Sequence, residues 1–445
     1  MNVLIGITGG IAAYKICEVT STLAKAGVEV RVLMTAQAQS FVSALTFAGL
    51  SRHRVYTDED FWSAQQGRPL HIELGEWADV FLIAPLSANT LGKLAHGLAD
   101  NLLTNTVLAS TCPILLAPAM NTDMWQQATV QRNWQLLCKG SHQTSGQTSH
   151  EEDSSRIHTV GPAAGRLACD RIGTGRMAEP NEIVTYIHSL SHTHGKRDLQ
   201  NKHLLISTGS TREFIDPVRF IGNPATGRMG IALAQAAWHR GANVTLVHGP
   251  LSAERTATIP DTVTSIATVT AADMETAMLS HLPQADWVIM SAAVADMRPT
   301  TTAPGKLPKK DLPNPLPLAS VPDIVAQLSA KKSSLQKIIG FAAQTGDIIP
   351  PAIDKLKRKQ LDAIVANPID KPNSGFGTEE NEAVILLAQS LANIQSLANI
   401  TPEQDPLLKD IEVSQTAIKV PHGSKLSLAH QLYDTLIRLN AGKAA

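Results

Sequence analysis

Three groups of residues in this chain have the types and spacings that do chemistry. The first is Pro118-Ala-Met-Asn-Thr-Asp-Met-Trp125, directly after the apolar run Cys112–Ala117. Such a run reads as a buried strand, and open α/β sheets bind their ligands at the carboxyl ends of strands. Asn121 offers an amide that both donates and accepts. Met120, Met124 and Trp125 offer soft, flat surface for a planar cofactor. The competing reading is a loop with one capping Asn and three packing side chains. The second group is Arg166-Leu-Ala-Cys-Asp-Arg-Ile-Gly-Thr-Gly-Arg-Met177, which sets the Cys169 thiol among arginines and near Gly173 and Gly175. Cations lower a thiol pKa and suit it to proton exchange, and the glycines suggest a flexible flap; the alternative is a small buried hydrophobe. The third is His71, which opens His-Ile-Glu-Leu-Gly just before an apolar strand. An imidazole is the natural proton acceptor there, although a single His serves equally as a structural or surface group.

Other segments have the composition of anion-binding loops. Thr8-Gly9-Gly10-Ile11 follows the apolar strand Asn2–Ile7 and places small residues at a helix start, which favours phosphate. Ser87-Ala-Asn-Thr90 does the same after Val80–Ala84, with an N-cap as its plain alternative. In the second half, Thr208-Gly-Ser-Thr-Arg-Glu213 and Asp216–Gly230 carry Gly209, Gly227 and Gly230, which allow close backbone approach to a ligand. Neither a Walker A loop nor G-x-G-x-x-G is present there. Ala292-Ala-Val-Ala-Asp296, the basic loop Pro304–Lys310, and Lys355, Lys357, Arg358 and Lys359 on a later helix complete a set able to meet a triphosphate. A solvated surface is the alternative for such lysine runs.

These residues need elements to hold them. At 445 residues the chain is long enough for two or three domains. Apolar strands alternate with helical stretches after each of two starts, at Asn2 and at His203, which predicts an α/β fold of two Rossmann-like, doubly wound domains. The boundaries expected are 1–190, a linker over 191–202 within the polar stretch Ser189–Lys202, and 203–445. A net charge of −1 gives no reason to expect nucleic acid or an anionic membrane. The cysteines Cys17, Cys112, Cys138 and Cys169 are scattered without zinc spacing, which fits a reducing cytoplasm. Met1–Gly6 enters a strand directly and is not a signal peptide, and no apolar run reaches the length of a membrane span. Residues 141–155 read as a surface loop, and the tandem Gln-Ser-Leu-Ala-Asn-Ile of 389–400 as a local duplication. The triad His188, His192 and His194 falls at the presumed linker and reads as spacer, so no metal ligand set is legible.

Taken in order, Thr8–Lys15, His71-Ile-Glu-Leu-Gly75, Ser87–Thr90, Pro118–Trp125 and the Cys169 flap resemble the flavin-dependent cysteine decarboxylases, specifically the phosphopantothenoylcysteine decarboxylases. The resemblance implies FMN, contacted by Gly10, Ile11, Thr35, Ser87, Asn89, Thr90 and Met120. It also implies His71 as base, Asn121 as ligand of the substrate carboxylate and Cys169 as the final proton donor. In that family the substrate thiol is oxidised so that the adjacent carboxylate leaves as carbon dioxide, and the electrons are then returned. The family usually has Gly after the flap cysteine, where this chain has Asp170, an acid that would raise the thiol pKa unless Arg166 or Arg171 offsets it.

The second half resembles the phosphopantothenate–cysteine ligases, joined behind a decarboxylase as in the bacterial bifunctional family. The two resemblances together cover nearly the whole chain. The second implies CTP and Mg²⁺ as cofactors, and activation of phosphopantothenate as an acyl-cytidylate that the cysteine amine attacks. Asn223 would serve acyl-cytidylate formation, while Asp296, Lys306, Pro322, Asp323, Ile324, Phe341, Lys355 and Lys359 would contact the nucleotide. Val321 stands where Asn is usual and Gln344 where Glu is usual. The partners implied are small molecules (phosphopantothenate, cysteine, CTP and phosphopantothenoylcysteine), with neither nucleic acid nor membrane. A homo-oligomer is also implied, a dodecamer with trimeric decarboxylase and dimeric ligase contacts. Two other readings compete: a decarboxylase of another cysteine-terminated substrate, which the attached ligase half argues against, and a regulatory flavoprotein subunit, which Cys169 and His71 disfavour.

Overall fold

The computed structural model describes residues 1–63, 67–139, 156–167, 170–371, 375, 377–388 and 417–441. Cys169, the 141–155 loop and the 389–400 duplication lie outside them. The chain forms two compact units, Met1–Arg197 and Asp198–Ala445. The stretch expected as linker is partly structured. The helix Pro180–Thr193 enters it and buries Thr193, while Leu199 joins the core of the second unit. His188 and His192 therefore ride on a helix, and Leu190 supplies apolar burial that the polar composition hid.

In the first unit the strands are β1 (Asn2–Ile7), β2 (Glu29–Met34), β3 (Val55–Tyr56), β4 (Val80–Leu86), β5 (Ile114–Pro118) and β6 (Ile157–Thr159). They form one parallel sheet in the order β3-β2-β1-β4-β5-β6. The order reverses between β1 and β4, which is the switch point where such sheets bind ligands. Both faces are covered. Leu4, Phe81, Ile83, Ile114 and Leu116 pack under helices that contribute Leu74, Leu91 and Leu103. Their strand neighbours Val3, Ile5, Leu82 and Leu115 are equally buried on the opposite face. The helix Ala13–Lys25 buries Ile16, Val19, Thr20 and Leu23, the spacing of one helical face, and gives way at Gly27 with φ +79°. An antiparallel hairpin, β7 (Ala163–Arg166) and β8 (Ile172–Arg176), stands outside the sheet.

The second unit contains β9 (His203–Thr208), β10 (Arg212–Phe214), β11 (Phe220–Gly222), β12 (Asn243–His248), β13 (Thr264–Ala267), β14 (Trp287–Met290), β15 (Met297–Pro299), β16 (Leu318–Ser320), β17 (Lys337–Gln344), β18 (Ala363–Pro368), β19 (Glu380–Leu387) and β20 (Ala417–Ser424). Eight form a sheet in the order β13-β12-β9-β14-β17-β18-β19-β20, in which β19 alone runs opposite to the rest and pairs antiparallel with β18 and β20. Here the switch point lies between β9 and β14. One face is buried under the helices Arg228–His239 and Lys425–Ala441, the other under Ala271–His281, Ile324–Lys331 and Ile349–Arg358. Both units are thus doubly wound α/β folds. Among the described residues, no helix is long and apolar enough to cross a membrane.

Candidate active sites

In the first unit, the residues proposed to hold a cofactor stand on the loops that follow β1, β2, β4 and β5. Thr8 laces two of these loops together. Its hydroxyl donates to the Pro85 carbonyl at 2.5 Å and accepts from the Ser87 N–H at 3.0 Å. The Thr35 N–H donates to the Ile7 carbonyl at 3.1 Å, which fixes the loop after β2 beside them. Gly9 is required by that closeness, because a Cβ there would lie 2.6 Å from the Gln37 Cβ. Ser87 caps the helix Ala88–Ala95, accepting from the Thr90 N–H at 3.3 Å. Two helix N-termini, after Gly10 and after Ser87, therefore open on the switch point and present N–H groups to an anion. Asn89 and Ile11 are exposed beside them, and Met120 is half-buried. A flat cofactor ending in a phosphate fits this donor set: N–H groups for the anion and apolar side chains for the ring.

Asn121 caps the short helix Thr122–Gln126, with its Oδ1 accepting from the Asp123 N–H at 2.7 Å. Trp125 packs edge-on to Trp134 at 5.3 Å between centroids, whereas Met124 is exposed. The hairpin lies directly on this loop. The Met120 N–H donates to the Gly175 carbonyl at 2.9 Å. A Cβ at Gly175, where φ is +146°, would collide with the Met120 carbonyl, and one at Gly173 would lie 2.6 Å from the Thr122 hydroxyl. The two glycines, read in the sequence as marks of a flexible flap, allow close contact between the hairpin and this loop.

At the hairpin tip, the Asp170 N–H donates to the Leu167 carbonyl at 3.0 Å and the Leu167 N–H to the Arg171 carbonyl at 2.8 Å. Asp170 sits at φ +63°, the left-handed conformation in which Gly is free and Asp is among the better tolerated alternatives. This accounts for the departure from Gly. Its carboxylate pairs with Arg166 at 2.8 Å, and Arg171 pairs instead with Asp123 of the Asn121 helix. His71 lies in the first turn of the helix Leu70–Trp77, edge-on to Phe61, with its Nδ1 buried and lacking a hydrogen-bond partner. That helix feeds β4, so its first turn lies toward the carboxyl edge of the sheet.

In the second unit one cavity of about 540 Å³ opens at the switch point. Asn223, Asp296, Pro322, Asp323, Ile324, Phe341, Lys355 and Lys359, expected from five separate stretches of sequence, all line it. Close packing builds its floor. A Cβ at Gly230 would overlap Thr208 and lie 2.8 Å from the Ser291 hydroxyl, so the helix Arg228–His239 starts hard against β9 and β14. The Thr208 hydroxyl donates to the Gly227 carbonyl at 2.9 Å, which points the helix N-terminus at the cavity. Asn223 is held by its N–H on the Ser210 hydroxyl at 3.0 Å and by its Nδ2 on the Val294 carbonyl at 3.3 Å.

Asp323 caps the helix Ile324–Lys331 and pairs with Lys359 at 2.9 Å. Burial would raise its pKa, but Lys359 and the cap N–H of Ala326 outweigh that and hold it below the usual carboxylate range. Lys355 donates to the Phe341 carbonyl at 2.8 Å, and burial, then Lys359, depresses its pKa. Lys306 stands apart. It is exposed on its loop and does not line the cavity, because the neighbouring Leu307 is tethered by its N–H to Asp216 at 3.2 Å. Of the two departures, Val321 lines the cavity and gives its N–H to the Asp296 carbonyl at 3.0 Å, while Gln344 does not line it. Arg358, expected among the helix cations, lies on the cavity wall, whereas sequence reasoning missed Arg228, Asn381 and Lys425, also on that wall. Arg228 follows Gly227 directly and was legible as a helix-start cation; Lys425 lies far along the chain with no motif around it.

Residues 1–192 match the family described as Flavoprotein, and residues 199–403 match the DNA/pantothenate metabolism flavoprotein C-terminal domain. The chain is 42% identical over 384 residues to the coenzyme A biosynthesis bifunctional protein CoaBC of Bacillus subtilis, across 86% of this chain and 90% of that one. It is 37% identical over 383 residues to the protein of the same name from Escherichia coli, across 85% and 89%. A solved structure, the FMN binding protein AtHal3, is 38% identical over 42% of this chain and 94% of its own, with a TM-score of 0.36.

Proposed function

The chain belongs to the family of bifunctional coenzyme A biosynthesis proteins, and from that premise we propose how its residues divide the work. The two activities are ligation of cysteine to phosphopantothenate and decarboxylation of the phosphopantothenoylcysteine so made. We assign the first to Asp198–Ala445 and the second to Met1–Arg197. The observation that carries the ligase half is the convergence of eight expected residues on one cavity at the switch point.

In the ligase half, Lys355 and Lys359 meet the phosphates of CTP, and the carboxylate oxygen of phosphopantothenate attacks the α-phosphorus, expelling pyrophosphate. Asn223, fixed by Ser210 and Val294, orients that carboxylate. The cysteine amine then bonds to the acyl carbon, and CMP leaves as the amine loses a proton. Lys306 joins when its loop folds inward. Among the described residues no three His, Cys, Asp or Glu converge on a metal position; Mg²⁺ enters with CTP, bound to its phosphates.

In the decarboxylase half, the Thr8–Ile11, Thr35, Ser87–Thr90 and Met120 loops hold FMN. FMN, when bound, supplies the two-electron redox chemistry that makes the substrate thiol carbon an electron sink. Asn121 binds the departing carboxylate, His71 accepts the thiol proton, and Cys169 delivers a proton in the last step. Asp170, beside it in the sequence, pairs with Arg166, which takes up the charge of the acid. The most exposed large apolar residues described in this unit, Leu45, Trp62 and Ile172, are ones an oligomer would cover. The family resemblance extends this reading to trimeric decarboxylase contacts, dimeric ligase contacts and a dodecamer in the cytoplasm.

The test is product analysis with phosphopantothenate, cysteine and CTP, omitting each in turn. Phosphopantetheine and carbon dioxide should require all three. Carbon dioxide released without CTP from phosphopantothenate and cysteine would contradict the division.

A further inference from the structure

The helix Lys425–Ala441 opens with a cation that the mechanism above does not use. Lys425 is 7% exposed and lines the ligase cavity. Its ammonium donates to the Glu380 carbonyl at 2.9 Å, the Thr378 hydroxyl at 3.2 Å and the Gly375 carbonyl at 3.4 Å. An ammonium has three N–H groups, so these acceptors account for all of them. Gly375 and Thr378 precede β19, and Glu380 is its first residue. The same segment grips Arg228, whose Nη1 donates to the Gly377 carbonyl and whose Nη2 pairs with Glu379 at 2.9 Å. Arg228 begins the helix that faces the cavity, and its Nε is buried without a partner. A methionine would fill the place of Lys425 without the cost of burying a charge. A lysine there therefore points to a geometric task.

We propose that Lys425 is a positioning residue of the ligase site: it pins Gly375, Thr378 and Glu380, and through the neighbouring Gly377 and Glu379 it aims Arg228 at the nucleotide phosphates. The proposal rests on the ligase reading above. It makes nucleotide affinity depend on a side chain whose own donors are spent inside the protein. It also carries a pH signature. Burial, and then Arg228, pushes the Lys425 ammonium down to about 8, against the opposing pull of Glu379. Arg255 pairs with Glu379 at 3.5 Å, and Glu380 with His422 of β20 at 3.6 Å, which completes the charges around it. Loss of the proton removes one donor, so the segment slackens as pH rises through about 8.

The experiment is a titration of the full-length chain with CTP and Mg²⁺, in the absence of cysteine and phosphopantothenate, on either side of pH 8. Lys425→Met should weaken CTP binding by about tenfold below pH 8 and abolish the loss that the unsubstituted chain shows above it. In turnover, KM for CTP should rise with kcat nearly unchanged. Thr378→Val, which removes one acceptor, should shift affinity in the same direction by less. Unchanged affinity in both variants, or a fall in kcat at constant KM, would overturn the proposal. Should Lys425→Met unfold the ligase half by circular dichroism, Thr378→Val decides the question alone. An unsubstituted chain that makes no CTP-dependent amide would instead sink the ligase reading itself.

Discussion

Asp170 illustrates how a single residue can look like a liability in sequence and be accommodated in structure. Its left-handed backbone is one that Gly adopts freely, and its carboxylate pairs with Arg166 rather than standing alone beside the proposed proton donor. Asp170→Gly is therefore expected to leave decarboxylation within about threefold of the unsubstituted chain, measured as carbon dioxide release, whereas Asp170→Val should cost more because a β-branched residue resists positive φ. Cys169→Ser should release carbon dioxide yet slow formation of the final thiol product about a hundredfold, the scale of a lost general acid. Normal product formation would remove Cys169 from the mechanism. Lys306→Gln should slow CTP-dependent amide formation about a hundredfold and leave decarboxylation of supplied phosphopantothenoylcysteine intact. An unaffected ligation rate would mean that the loop stays where Asp216 tethers it.

At the scale of elements, the hairpin β7–β8 depends on two glycines that touch the Asn121 loop. Gly175→Ala forces a methyl group into the Met120 carbonyl and is expected to cut decarboxylation at least about tenfold while ligation is unchanged. Equal activity would show that the hairpin works detached from that loop. Strand-ends and glycines were legible in the sequence because parallel strands are short apolar runs bounded by small residues. Thr8–Ile11 and Ser87–Thr90 were legible by the same logic, as loops at strand ends, whereas Asn223 came from the resemblance and the switch points only from the strand order. The roles of Met124 and Trp125 were less legible. Aromatic residues beside a site and aromatic residues in packing have the same composition, and only the Trp125–Trp134 contact separates them. The stretch expected as a linker holds the division between the two units, but its polar composition hides the few side chains around it that are buried, Leu190, Thr193 and Leu199. Lys425 had no local signal at all, because its partners are some fifty residues upstream, across β19 and β20.

At the scale of the molecule, the two units should respond differently to acid. His158, on the edge strand β6, is buried, and burial, then Arg197, pushes its pKa from 6.5 down to about 3 against the opposing pull of the Gly195 backbone. The folded first unit thus binds fewer protons than its unfolded chain, so its stability is full above about 6.5 and declines as pH falls toward 3. Calorimetry should show the first unit losing melting temperature over that window, with a shallower loss in His158→Leu. Identical slopes would mean that carboxylates alone set the acid limit. The central claim is that one chain makes a substrate in its second unit and consumes it in its first. Its most direct test follows the carboxyl carbon of isotopically labelled cysteine, given with phosphopantothenate and Mg²⁺. Label should appear in carbon dioxide only when CTP is present, with phosphopantetheine formed in equal amount. Labelled carbon dioxide without CTP, or amide that accumulates and is never decarboxylated, would contradict the account.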